Sequence, residues 1–421
     1  MKAEKQSIWL AAGLRTPFAR VDGPLANRDS LALSVPVMRA MAEQASGPID
    51  FGIWGSVVGN LAYSNLAREI WLEAGLDPHV PTFTTILQCC TSMAAAFEAA
   101  GMLGREGNAL AIVGGSESMS RVQIGLGGNL SVWLRRLTQA RTAARRLGAL
   151  RTLRLRDVRL YVPQIRNRAT GKSMGEHCEE MAKTWNIGRS EQDEFALESH
   201  RRAIAAQDRG WAEDIVSVDG LRRDEFPRRD TSLEKLAALK PAFDRAHGTI
   251  TAGNSSPLTD GAAALWVAAD EGLARLPASV PRVRLVDYEI AAVDIFHEGL
   301  LMAPVAAIPR LLSRHAMKFE DVTLWEIHEA FAAQVLCNIK GLEDGGYVRE
   351  KSGIAHTFGR FPTERVNPNG GSIALGHPFG ATGARILSQA VRELAALPQG
   401  SRAVVSVCAD GGLGTVALLE N

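Results

Sequence analysis

The sequence predicts an α/β fold built from two similar halves. Three observations carry that expectation. Strand-like and helix-like segments alternate from residue 8 to residue 113, the same rhythm returns over residues 283–421, and 421 residues with 40 glycines exceed what one ordinary core organises. In the first half, residues 8–10 predict a strand, 30–45 a helix, 52–58 a strand, 65–74 a helix, 84–87 a strand, 91–103 a helix and 110–113 a strand. In the second, strands are expected over 283–290, 325–327, 403–408 and 415–419, with helices over 305–315, 330–339 and 382–395. Such alternation implies a mostly parallel sheet covered on both faces. Between the halves, residues 190–208 predict an amphipathic helix with Ser190 as its N-cap and acids in its first turn.

Composition excludes several classes of function. A net charge of +1 gives no global reason to expect nucleic acid. The apolar run at 7–12 is too short for a signal segment or a membrane span, so a cytoplasmic protein is expected. Five cysteines, at 89, 90, 178, 337 and 408, are scattered without CxxC spacing, which speaks against a disulfide scaffold and structural zinc. Cys90, His328, His377 and Cys408 could in principle form a Cys₂His₂ set, but no pair has local ligand spacing, and no metal is expected.

Charge is nonetheless uneven. Residues 121–172 hold thirteen Lys/Arg and one acid, Asp157, a local excess of +12 that leaves about −11 for the rest. Leucines and arginines recur there at helical spacing. A solvated helix face with snorkelling arginines accounts for the pattern; so does a surface for an anionic membrane, a partner subunit or a phosphorylated substrate.

Four islands carry reactive groups. Cys89 and Cys90 sit where an apolar run meets an Ala-rich helix, a place where the helix dipole lowers a thiol's pKa, although a small buried hydrophobe is the commoner fate of a cysteine in such a segment. His377 lies in Gly376–Gly383, where three glycines permit tight turns and close approach. Cys408 ends a strand before Gly411-Gly412, and His328 follows the strand at 325–327 and is expected to start a helix. A nucleophilic thiol needs a base, a second acid/base and oxyanion donors, and the four islands offer a candidate for each.

Taken jointly and in this chain order, the islands resemble the thiolase family, the acyl-CoA C-acyltransferases. The resemblance spans Arg15-Thr16-Pro17-Phe18, the cysteine segment, residues 113–120, Ser173-Met174-Gly175-Glu176, residues 251–256, Asp260-Gly261-Ala262-Ala263 and the C-terminal islands. Residues 64–69, His328-Glu329-Ala330-Phe331, the insertion at 341–365 and Phe379 are similar to the fatty-acid β-oxidation branch that includes the trifunctional β-subunit. It implies a five-layer α-β-α-β-α arrangement with a covering loop domain. The implied domains are residues 1–120, completed by 258–280; a loop domain at 121–257; and a C-terminal half at 281–421.

The resemblance also implies roles. Cys90, rather than Cys89, takes the nucleophile's position, because Ser92 and Ala96 then occupy the family's places two and six residues on. His377 would take its proton, Cys408 would be the second acid/base, and His328 with His377 would hold the enolate oxygen. Backbone N–H groups of Cys90 and Asp410 would form a second oxyanion hole, Ser256 would touch the pantetheine arm, and Met174 and Phe331 would line the acyl pocket. Implied partners are acyl-CoA and CoA, a second copy of the chain in a homodimer or homotetramer, and a hydratase/dehydrogenase or anionic membrane through 121–172. CoA is then a substrate and no cofactor is called for.

The expected reaction is thiolytic cleavage of 3-ketoacyl-CoA to acetyl-CoA and a shortened acyl-CoA. Condensation of two acetyl-CoA, or a lipid-binding or subunit role with low activity, are the alternatives. Asp410 departs from the family's Gly or Ala, and a carboxylate there should raise nearby thiol pKa values unless it points away or meets a cation.

Overall fold

A computed structural model of the chain describes residues 6–104, 107–211 and 213–421. The first half contains β1 Ile8–Ala11, β2 Ala19–Arg20, α1 Ser30–Ala42, β3 Phe51–Gly55, α2 Leu66–Glu73, β4 Thr82–Thr84, α3 Thr91–Met102 and β5 Leu110–Glu117. An excursion follows with β6 Gly125–Leu126, α4 Gly128–Gln139, α5 Ala143–Leu150, β7 Leu160–Tyr161, α6 Met174–Thr184, α7 Arg189–Asp208 and α8 Leu233–Ala237. The chain then returns through β8 Thr259–Ala269, α9 Asp270–Leu273, β9 Arg282–Ala292, α10 Ala303–Arg314, β10 Leu324–Ile327, α11 Ala332–Glu343 and α12 Gly345–Ser352. It closes with α13 Ser372–Leu375, α14 Thr382–Ala395, β11 Arg402–Ala409 and β12 Leu413–Glu420.

The main strands form one continuous ladder in the order β10-β11-β12-β9-β1-β8-β5-β3-β4, with β2 on β8. Parallel pairing is confined to the two ends, β10 with β11 and β3 with β4 and β5. The five pairs between them are antiparallel, which corrects the expectation of a mostly parallel sheet. Local geometry explains part of the difference. Residues 410–412 join β11 to β12 through Gly411 and Gly412 at φ +84° and +75°, a turn too short for a crossover helix, so the strands must run antiparallel.

Alternation along the strands sorts the core into layers. On β5, Ala111 and Val113 face one cluster, while Leu110 and Ile112 face another with α1 and α2. On β11, Val405 and Val407 join the first cluster, while Val404 faces the third with α10 and α11. The shared cluster is filled by α3 and α14 through Met93, Ala96, Ile386 and Leu387. Helices, strands, the α3/α14 pair, strands and helices therefore stack as α-β-α-β-α.

Two expected caps differ. The helix expected from Ser190 begins at Arg189 with Gly188 as N-cap, whose N–H reaches Glu191 Oε2 at 2.8 Å, and Ser190 Oγ turns to Glu194 Oε1 instead. His328 does not start a helix: α11 begins at Ala332, because residues 328–331 are drawn onto the excursion's end, where the Ala332 N–H donates to Asn254 O.

Candidate active site

Three backbone devices converge on one place. His328 directly follows β10, its N–H donating to Ser406 O of the parallel neighbour β11 at 2.8 Å, and Cys408 lies near the carboxyl end of β11. His377 sits in the turn between α13 and α14, fixed by its own N–H to Thr259 Oγ1 at 2.9 Å. That turn requires its glycines. Gly376 has φ +101°, and a Cβ on Gly383 would lie 2.3 Å from Met93 N, so only glycine lets α14 close on α3. The close approach delivers the start of α3, and with it the cysteine pair, to the histidine.

The cysteine that arrives is Cys89. Its Sγ lies 3.3 Å from His377 Nε2, and it is half-buried. Cys90 is fully buried as the N-cap of α3, packs in the α3/α14 core and donates its thiol to Val407 O at 3.2 Å. Its backbone N–H is spent on Leu87 O at 2.9 Å. The expectations that Cys90 pairs with His377 and that its N–H serves an oxyanion are both corrected. Gln88, at φ +45°, turns the chain just before the pair, and the two adjacent side chains leave it toward different neighbours, Cys89 to His377 and Cys90 to Val407. The helix N-terminus does not lower the Cys90 thiol either: burial pushes it up to about 12.

Hydrogen bonding sets the histidine's tautomer. Thr382 Oγ1 donates to Pro378 O at 3.0 Å, so across 2.6 Å it accepts from His377 Nδ1, and the lone pair of Nε2 is left facing the Cys89 thiol. Burial, then the charge of Arg385, pushes the His377 imidazole down to about 3. The His328 ring centroid lies 4.1 Å from that of His377, and burial, then His377 and Arg385, holds His328 well below its ordinary value. Both rings are neutral near pH 7. The Cys89 thiol is pushed up by burial, then by Cys90 and Asp410, while the Asp410 N–H directed at its sulfur acts the other way. Burial, then the Cys89 and Cys90 sulfurs, holds the Cys408 thiol well above its ordinary value.

Among the described residues Asp410 meets no cation. Its Oδ1 accepts from Asn167 Nδ2 at 2.8 Å and from the Gly411 N–H at 2.7 Å, tying the excursion to the β11–β12 turn beside Cys89. Ser256 pairs with the loop that carries His328: its N–H and its hydroxyl both donate to Ala330 O, at 2.9 and 3.0 Å. Phe331 is buried edge-on to Phe243, with ring centroids 6.0 Å apart, and Met174 opens α6 against the third core cluster. Sequence reading set Cys89 aside in favour of Cys90 and passed over Thr382, Ser372, Arg385 and Asn167. A threonine five residues after His377, at the head of a helix, was the legible signal for Thr382.

Among the described residues no helix is long and apolar enough to cross a membrane. The site combines a thiol, a neutral base in register with it, a second thiol and imidazole and N–H donors, the equipment of acyl transfer through a thioester. Comparison with known proteins agrees. Residues 8–271 match the model of the thiolase N-terminal domain, and residues 279–421 that of the thiolase C-terminal domain. The 3-ketoacyl-CoA thiolases of Yersinia enterocolitica and Yersinia pestis are each 36% identical over 98% of this chain and 96% of their own. Among solved structures, the Acat5 thiolase of Ascaris suum in complex with coenzyme A superposes with a TM-score of 0.79 at 27% identity, covering 99% of this chain and 100% of its own. The acetyl-CoA acetyltransferase of Bacillus anthracis gives 0.80 at 29%, covering 99% and 98%. The chain is an acyltransferase and belongs to the thiolase family.

Proposed function

We propose that the chain is a 3-ketoacyl-CoA thiolase that carries the acyl group on Cys89. The observation that bears most weight is the 3.3 Å approach of Cys89 Sγ to the unprotonated His377 Nε2. His377 takes the Cys89 proton, and the thiolate attacks the 3-keto carbon of the substrate. The C2–C3 bond breaks, leaving acyl-Cys89 and the enolate of acetyl-CoA, whose oxygen His328 holds. The Cys408 thiol protonates the enolate carbon; its thiolate then takes the proton of incoming CoA, which attacks the acyl thioester. The oxyanion of that step lies at the N–H groups of Cys89 and Asp410. Cys89 departs and recovers its proton from His377, so every proton is returned. A neutral His377 suits a thiol with a raised pKa: the pair stays uncharged until substrate arrives, and proton transfer and attack are coupled.

Residues 121–257 cover the CoA site in this reading, Ser256 lies at the pantetheine arm, and Met174 and Phe331 line the acyl chain. The chemistry calls for no metal or redox cofactor. The proposal includes a cytoplasmic homodimer or homotetramer, on the strength of the family resemblance. Thiolysis of acetoacetyl-CoA and of longer 3-ketoacyl-CoA, followed at the enolate absorbance, tests the function. CoA-dependent loss of absorbance is expected, and no turnover at any chain length would support a binding or subunit role.

For the basic excursion we propose an anionic membrane surface. Helix α5 has no buried residue and α4 has only Leu130, and 11 of the 21 exposed large hydrophobic side chains among the described residues fall in 121–172. Of its thirteen cations, only Arg166 and Lys172 reach a carboxylate among the described residues. Unpaired arginines beside exposed leucines match lipid phosphates over an acyl boundary. Salt-sensitive sedimentation with phosphatidylglycerol vesicles is expected, and none with phosphatidylcholine; binding to neither vesicle rejects the surface.

A further inference from the structure

The buried polar groups behind His328 define a second relay that the reaction outlined above does not use. His328 Nδ1 lies 2.9 Å from Ser372 Oγ, and Arg385 Nη2 donates to the same oxygen at 2.9 Å. Arg385 Nη1 donates to Gln389 Oε1 at 2.9 Å. His328 and Ser372 are fully buried and Arg385 is 3% exposed, so water does not complete these bonds. On the other side of the ring, His328 Nε2 is buried without a hydrogen-bond partner among the described residues.

Hydrogen counting decides the direction. A guanidinium only donates, so Ser372 Oγ must accept from Arg385. The serine keeps one hydrogen, and the only acceptor within reach among the described residues is His328 Nδ1. The reverse arrangement, with Nδ1 donating to the serine, strands that hydroxyl hydrogen in a fully buried position, where an unmade hydrogen bond is costly. Serine therefore donates to Nδ1, and the imidazole proton sits on Nε2. The unpartnered atom becomes an N–H directed away from the relay, which is what a developing oxyanion requires.

We propose that Ser372 and Arg385 are positioning residues: the arginine occupies the serine oxygen, the serine's single hydrogen goes to His328 Nδ1, and His328 is thereby fixed as an Nε2–H donor to the reacting oxygen. The inference rests on the reading that His328 holds the enolate oxygen. Arg385 adds a second effect. Its cation opposes protonation of both His328 and His377, which keeps the donor neutral without removing its proton. A neutral donor holds the enolate without trapping it as a tight ion pair.

Nitrogen NMR of the full-length enzyme labelled with ¹⁵N-histidine tests the relay without relying on turnover, with His328→Asn identifying the His328 signals. The expected wild-type pattern is a protonated Nε2 and an unprotonated Nδ1. In Ser372→Ala that pattern collapses toward a tautomer mixture. Exchange of acetyl-CoA methyl protons with deuterium oxide then falls by at least about tenfold, part of the roughly 10²–10³ that loss of an oxyanion donor costs. Alkylation of Cys89, which depends on His377, stays at the wild-type rate, and Ser372→Thr, which keeps a hydroxyl, restores exchange. A wild-type proton on Nδ1, or a Ser372→Ala enzyme with unchanged tautomer and exchange, overturns the proposal. The expected tautomer in a wild-type enzyme that exchanges no methyl protons would instead reject the enolate role and leave the relay standing.

Discussion

Replacing Thr382 with valine removes the acceptor that sets the His377 tautomer while keeping the side chain's shape. The Nδ1–Oγ1 separation is 2.6 Å and both groups are buried, so neither water nor another side chain takes over. As His377 accepts the Cys89 proton it becomes an imidazolium, and a hydrogen bond to a charged group is worth about 1.5–3 kcal/mol. At about 1.4 kcal/mol per tenfold, Thr382→Val should lower kcat/KM by roughly 10- to 100-fold. Acetoacetyl-CoA thiolysis reads the loss, and the alkylation rate of Cys89 should fall with it, because both need the lone pair of Nε2 aimed at the sulfur. Thr382→Ser should restore most of both. A valine variant within twofold of wild type in both assays would refute the tautomer argument.

Two further outcomes follow from the electrostatics. Asp410→Asn removes a negative charge that raises the Cys89 thiol while keeping the N–H that opposes it, so Cys89 should be alkylated severalfold faster at a fixed pH near 8; an unchanged rate would show that the carboxylate does not act on this sulfur. Burial, then Arg228, pushes His200 down to about 4, and His377 is held at about 3. A histidine depressed in the folded state contributes stability that is intact above its unfolded value of 6.5 and is lost as pH falls through the window down to the folded value. Each should therefore cost about 2 kcal/mol between pH 6.5 and pH 5. His200→Asn should flatten the pH dependence of urea unfolding by about that amount, and equal slopes for variant and wild type would contradict it.

Much of the fold was legible because β3, β5 and β11 are apolar runs next to helices of the right length. Strand β8 was not. Its sequence, Thr259–Ala269, contains five alanines and one β-branched residue besides Thr259, and its place between β1 and β5 is fixed by tertiary pairing across more than 140 residues. The site islands were found because glycines and chemistry-bearing residues mark strand ends, and His328, His377 and Cys408 do share one region. The cysteine register went astray for a physical reason. Helix α3 is the middle layer, and Thr91–Phe97 are buried without interruption, so no polar face exists to set the phase of the residues before it. What separates Cys89 from Cys90 is tertiary, His377 meeting the one and Val407 the other after a turn at Gln88 with positive φ, and no side-chain pattern announces it.

The most direct measurement is the mass of the acyl-enzyme formed when the wild type, Cys89→Ala and Cys90→Ala are each quenched after mixing with acetyl-CoA. Cys90→Ala is expected to fold with a modest loss of stability, about 1–2 kcal/mol for a buried thiol and its hydrogen bond, and to carry the acetyl mass as the wild type does. Cys89→Ala should carry none. An acetyl adduct on Cys89→Ala together with none on Cys90→Ala would contradict the account, because the thiol facing His377 would then not be the one that accepts the acyl group.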